Sequence, residues 1–200
     1  MDRTKYMDEK EVAKLVRKAT ADAAGGTTTD KVRWMIVDLA LGTGFRASEM
    51  LSLRWCDVNL DAAYIRVRRG KKRRGKPVVD AVAIGDELAE HLDAYRSDLR
   101  IARRPASDAD PVIAGRSGGM TRTALWRSWQ MSLSRAGLSP RPLHDARHTL
   151  AVHLLKTTSN LRLVQKQLGH SSPEVTANIY ADVPFDDMQA AINGVYKGGA

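Results

Sequence analysis

Residues 31–44, KVRWMIVDLALGTG, constrain the fold more than any other stretch. Read as a helix, they place Val32, Trp34, Met35, Ile36, Val37, Leu39 and Leu41 around most of the circumference. A helix with so little polar face is stable in water only when other elements enclose it. The chain must therefore wrap its remaining elements around this one. Gly42 and Gly44 are expected to stop the helix, and Asp30 to cap its start after the loop at 25–29.

The flanking periodicities say what those elements are. Residues 7–19 carry Val12, Leu15, Val16 and Ala19 on one helical face, with Asp8 as cap. Residues 46–55 fit a short helix. In 63–69, Tyr64, Arg66 and Arg68 alternate with Ile65 and Val67, the period of a half-buried strand. Residues 70–77, GKKRRGKP, read as a turn, and 78–84 as the returning strand. Helices are expected at 86–100, after Thr121 as far as Gly137, at 142–155, and from Asn160 to Gly169. Residues 104–119 read as a loop with one short strand, and 185–197 as a last amphipathic helix. The expected class is mainly α with a small antiparallel β-sheet, an α+β domain.

The chain has 200 residues, a net charge of +9 and one cysteine, Cys56. The basic excess calls for a polyanionic partner, and a single cysteine excludes a disulfide framework. No apolar run approaches the ~18 residues of a membrane span, so the expectation is a soluble, intracellular, cytoplasmic protein. A membrane-surface role is disfavoured because the basic residues gather on a hairpin rather than on an amphipathic helix.

Four stretches carry the chemistry. In GTGFRASEM, Arg46 and Glu49 lie one helical turn apart; taken alone they read as an ordinary ion pair. GKKRRGK concentrates Lys71, Lys72, Arg73, Arg74 and Lys76 at a hairpin end, where they suit nucleic-acid contact. In LHDARHTLAVHLL, His144 and Arg147 share a face. His144 and His148 also have the i,i+4 spacing of two metal ligands, but no third ligand is evident, so a metal is disfavoured. In LGHSSPEVTANIY, His170 directly follows a helix end, Ser172 caps the next helix, and Tyr180 comes ten residues after His170.

Each stretch alone has an ordinary structural explanation. Their order (G-x-R-x-S-E, basic hairpin, H-x-x-R-H, L-G-H, then Tyr) resembles the catalytic domain of the tyrosine recombinases, the phage integrase family, from about Lys5 to Tyr180. The resemblance implies a catalytic domain over 1–184 and a tail helix over 185–200, which either docks on a neighbouring protomer or packs on its own domain. The resemblance implies that the family's N-terminal core-binding domain has no counterpart here, so the chain is expected to be an excised domain, with an unusually short protein as the alternative. Arg46 matches the first catalytic arginine and Glu49 its acidic support. Lys71 best matches the hairpin lysine, with Lys72 and Lys76 as alternatives. His144 and Arg147 match the H-x-x-R box, His170 the L-G-H histidine and Tyr180 the nucleophile. His148 is expected to support the site, and His153 to serve packing or surface. Two residues depart from the pattern: Ala146, where Leu is frequent, and Asp182, where His is common.

The implied activity is site-specific DNA recombination through a 3′-phosphotyrosyl intermediate, without ATP, metal or other cofactor. The implied partners are double-stranded DNA and, on DNA, three further copies forming a tetramer; the free domain is expected to be monomeric. Relaxation of DNA in the manner of a type IB topoisomerase and non-catalytic DNA binding are the alternatives.

Overall fold

The computed structural model describes residues 5–73, 76–115 and 118–169. Helix α1 (Glu9–Ala24) begins at Asp8, whose carboxylate accepts the Glu11 N–H at 2.8 Å, while Glu11 accepts the Asp8 N–H at 3.1 Å. Two otherwise orphaned donors are satisfied by this reciprocal box. Helix α2 (Thr28–Thr43) is the enclosed helix: Val32, Trp34, Met35, Ile36, Val37, Leu39 and Ala40 are all buried. It packs against α1, against α4 (Asp86–Ile101), α5 (Arg122–Arg135) and α6 (His144–Thr158).

Two expectations for α2 are corrected. The residue preceding its first turn is Thr27 rather than Asp30; Asp30 sits three residues on, where its carboxylate accepts both the Thr27 N–H at 2.9 Å and the Thr27 hydroxyl at 2.6 Å. The helix also runs through Gly42 and stops only at Gly44, which is left-handed at φ 64°. Gly42 serves packing instead: a Cβ there would lie 2.8 Å from Leu88 Cδ2 on α4.

A short helix α3 (Ala47–Ser52) and a 3-10 turn (Trp55–Asp57) lead to the sheet. Its strands are β1 (Val58–Asn59), β2 (Tyr64–Arg73) and β3 (Lys76–Ala83), antiparallel and in the order β1-β2-β3. Ile65, Val67 and Val82 face the core while Arg66, Arg68 and Ala81 face solvent, as the alternation requires. The strands extend past the expected turn. Lys72 pairs with Pro77 and Arg73 with Lys76, after a register shift between Arg69 and Lys72. Most of the basic run is therefore strand, with Gly70 and Lys71 in the bulge. The expected single short strand within 104–119 is a pair, β4 (Ala114–Gly115) and β5 (Gly118–Gly119).

After α5, the chain forms α6 and then α7 (Leu161–Leu168), whose N-cap Asn160 accepts the Leu163 N–H and whose end is the left-handed Gly169. The start of α6 is tied to the chain's N-terminal segment. The Arg141 Nη2 donates to both Glu11 carboxylate oxygens at 2.7 and 2.9 Å, and the Met7 N–H donates to Thr149 Oγ1 at 2.9 Å. No helix of the described residues is long and apolar enough to cross a membrane. The expected tail helix lies outside the described residues.

Candidate active site

Arg46 is the N-cap of α3, and Glu49 holds it twice. One carboxylate oxygen accepts the Arg46 backbone N–H and the other its Nη1, both at 2.8 Å. Glu49 is 5% exposed and the Arg46 side chain 44%. A buried carboxylate thus fixes one edge of a guanidinium whose remainder meets solvent. The value of this pair is orientation, since a half-exposed ion pair contributes little to stability.

His144 opens α6, and its ring meets that of His148 edge-on, centroids 4.6 Å apart. Burial lowers the His144 pKa below its ordinary 6.5, and the charges of His148, Arg147 and Arg46 lower it further against the opposing pull of Asp145. Arg46, from the α2–α3 junction, and Arg147, from α6, therefore act on one imidazole, although 101 positions separate the two arginines in the sequence. His144 is held neutral at pH 7 in an electropositive setting. Among the described residues no group of three or more His, Cys, Asp or Glu could hold a metal ion.

Arg147 is 3% exposed. Its Nη1 donates to the Gly44 carbonyl at 2.7 Å and its Nη2 to the Leu168 carbonyl. The guanidinium has five donors in a fixed plane, so it can join two backbone segments and still address a third oxygen-rich group. It draws together the end of α2, two residues before Arg46, and the end of α7, two residues before His170. Sequence reasoning gave Gly44 only as a helix stop. A Cβ there would lie 2.6 Å from Leu168 Cδ2, 3.2 Å from Leu150 Cδ2 and 3.5 Å from Arg147 Cγ. Gly44→Ala is expected to cost about 2 kcal/mol, from the left-handed backbone and the displaced Leu168. Urea unfolding checks it; wild-type stability would mean that α7 yields freely at this contact.

His153 is exposed on α6, the surface alternative of its reading. Lys71, Lys72 and Arg73 lie in β2 and Lys76 in β3. Arg74, His170 and Tyr180 lie outside the described residues. The sequence reading missed Arg141, Thr149 and Gln167, polar side chains that bind backbone or carboxylate groups far away in the chain. No local motif marks them.

The family model described as "Phage integrase family" matches residues 5–186. The chain belongs to the phage integrase family. Its membership is carried by nearly the whole length, as the ordered motifs imply. The chain is 32% identical over 187 residues to the tyrosine recombinase XerD of Ralstonia nicotianae, an alignment covering 92% of this chain and 58% of the relative. It is 33% identical over 194 residues to the XerD of Mycobacterium tuberculosis, covering 93% and 59%. It thus spans somewhat over half the length of these curated relatives. A crystal structure of XerA recombinase superimposes with a TM-score of 0.73 at 25% identity, covering 94% of this chain and 64% of that one. The XerH site-specific recombinase bound to palindromic difH substrate, a post-cleavage complex, superimposes with a TM-score of 0.74 at 20% identity, covering 94% and 52%. The phage integrase fold of this chain is therefore the mainly α, small-sheet architecture expected from its sequence.

Proposed function

We propose that this chain is the catalytic part of a site-specific DNA recombinase that cleaves and rejoins DNA through a tyrosine. The observation that carries the reading is that the buried Arg147 guanidinium joins the chain at Gly44, two residues before Arg46, to the end of α7 at Leu168, two residues before His170. The phosphodiester becomes more negative at its nonbridging oxygens as a nucleophile adds, and preorganised guanidinium groups stabilise that charge. Arg46, steadied by Glu49, and Arg147 would clamp those oxygens, and His170 would donate a further hydrogen bond. A tyrosine hydroxyl, with its reference pKa of ~10, is a weak nucleophile until a base and nearby cations favour its anion. His144 would exchange the proton with Tyr180, which would bond to phosphorus and leave a 3′-phosphotyrosine, His148 supporting the ring of His144.

The departing 5′ oxygen needs a proton, and Lys71 is the favoured donor. Its backbone lies where the register of the β2–β3 ladder shifts, between Arg69 and Lys72. Lys72, Arg73, Arg74 and Lys76 would contact the DNA backbone. Attack by a 5′ hydroxyl of another strand would reverse the chemistry and rejoin DNA. The phosphotyrosyl ester formed as the P–O5′ bond breaks conserves the energy of that bond, so ATP is not required. Double-stranded DNA is the proposed partner, with the full-length protein assembling as a tetramer on it.

The test is covalent trapping on nicked suicide duplexes carrying candidate sites, in EDTA, followed by protease digestion and mass mapping of the DNA-linked peptide. An adduct on the peptide containing Tyr180 supports the reading. An adduct elsewhere, or none on any site with the full-length protein, sinks it.

The His144 pKa yields a pH prediction. The His144 pKa lies below its ordinary 6.5, so the neutral base predominates at pH 7. The rate of adduct formation, measured as kcat/KM, should fall as the pH drops through that lowered pKa. The same shift has a stability consequence. The unfolded state binds the proton at higher pH than the folded state, so the contribution is fully present above 6.5 and is lost as pH falls through the folded value. An NMR titration of His144 checks the direction; a midpoint above 6.5 would refute it.

A further inference from the structure

Helix α7 has eight residues, well short of the ~12–15 at which isolated helices begin to hold themselves. Its buried side chains are Val164 and Leu168, which join Ala151, Val152 and Leu155 of α6 in a cluster separate from the main core. Leu150, Leu154, Leu161 and Tyr6 pack on this cluster, and polar links add direction to the contact. One is the Arg147 donation to the Leu168 carbonyl. Gln167 makes another. Its Nε2 donates to the Ala83 carbonyl at 2.7 Å, and its Oε1 accepts the Ala83 N–H at 3.2 Å. Ala83 is the last residue of β3, an edge strand. The Gln167 amide offers that edge the donor and acceptor a neighbouring strand would supply.

We propose that Gln167 is a positioning residue for Arg147. By locking the last turn of α7 to the end of β3, it places the Leu168 carbonyl that directs the Arg147 guanidinium. That carbonyl is among the last four of its helix, which have no partner inside the helix. Its position is therefore set by whatever fixes the helix end, and Gln167 is the adjacent residue. The connection runs from Ala83 through Gln167, Leu168 and Arg147 to Gly44, two residues from Arg46. The catalytic consequence rests on the recombinase reading; the placement of Arg147 does not.

Gln167→Met tests it, because methionine keeps the length and helix propensity while removing both hydrogen bonds. Exchange of the Ala83 amide should quicken about tenfold, and the Arg147 side-chain resonance should shift, with the melting temperature unchanged within about 2 °C. Single-turnover cleavage at saturating DNA should slow about tenfold, with DNA affinity unchanged. The deficit should shrink on a substrate whose nonbridging oxygen is replaced by methyl, since no charge remains there for Arg147 to stabilise. Gln167→Glu, which keeps the acceptor and loses the donor, should fall between wild type and Gln167→Met, and provides the same readouts if the methionine variant folds poorly. Unaltered Ala83 exchange and Arg147 resonance would overturn the proposal, as would wild-type cleavage when both have changed. If the wild-type chain forms no adduct while Ala83 and Arg147 respond, the recombinase reading fails and the positioning of Arg147 stands.

Discussion

Tyr180→Phe is expected to abolish the covalent adduct with DNA while leaving affinity for duplex DNA within about twofold. The substitution removes one oxygen and keeps the ring. Without that oxygen no atom at position 180 can bond to phosphorus, so the loss should be complete rather than graded. Affinity should survive because phosphate binding is carried by cations and the countercharges they release, and the net charge of +9 is unchanged. Denaturing gels would read the adduct and fluorescence anisotropy the affinity, each at several salt concentrations. The logarithmic salt slope should match that of the wild type. Persistence of the adduct would move the nucleophile to another residue and end the assignment of Tyr180. A large fall in affinity would make the tyrosine a binding residue instead.

The parts of the fold legible in the sequence are those decided within a few residues. Ile65 and Val67 are buried and Arg66 exposed because the strand period alone assigns them to opposite faces. Residues 31–44 read as central because few polar side chains interrupt their circumference. Errors arose where two residues of the same chemical type compete. Thr27 and Asp30 are both good caps, and the Thr-x-x-Asp spacing lets the Asp30 carboxylate accept the Thr27 N–H and hydroxyl, which makes Thr27 the earlier, capping position. The basic hairpin read as a turn because Gly70 and consecutive cations are poor strand formers. The ladder continues past them because β3 supplies partners on the far side of the bulge.

The site was legible as a set of residues and illegible as an arrangement. Arg46, His144 and Arg147 could be picked out by spacing. That burial together with both arginines depresses the His144 pKa depends on the tertiary contact between the α2–α3 junction and α6. The same holds for Arg141, whose link to Glu11 spans 130 positions. That link joins the first turn of α1 to the segment just before α6, the helix that His144 opens.

The two arginines should then differ sharply when removed, which separates chemistry from architecture. Arg147→Met is expected to lower the cleavage rate by at least ~10³-fold and to destabilise the chain by about 2–4 kcal/mol. The second effect follows from the carbonyls of Gly44 and Leu168, which accept from a guanidinium that is 3% exposed. Methionine fills part of the volume and offers neither carbonyl a donor. Relief of the buried charge offsets some of this loss, which sets the expected range somewhat lower than the ~3–5 kcal/mol typical of a broken buried ion pair. Arg147→Lys keeps the charge, but a single ammonium lacks the planar fork that spans two carbonyls and faces a phosphate, so it should recover stability better than activity. Arg46→Met is the contrasting case. Cleavage should fall by a similar ~10³-fold, while the urea midpoint should move less, because the Arg46 side chain is 44% exposed and Glu49 keeps the backbone N–H at this position as a donor. Urea unfolding and single-turnover cleavage on the three variants decide the matter. Arg147→Met with wild-type stability would show that the backbone links at Gly44 and Leu168 do not hold the site together.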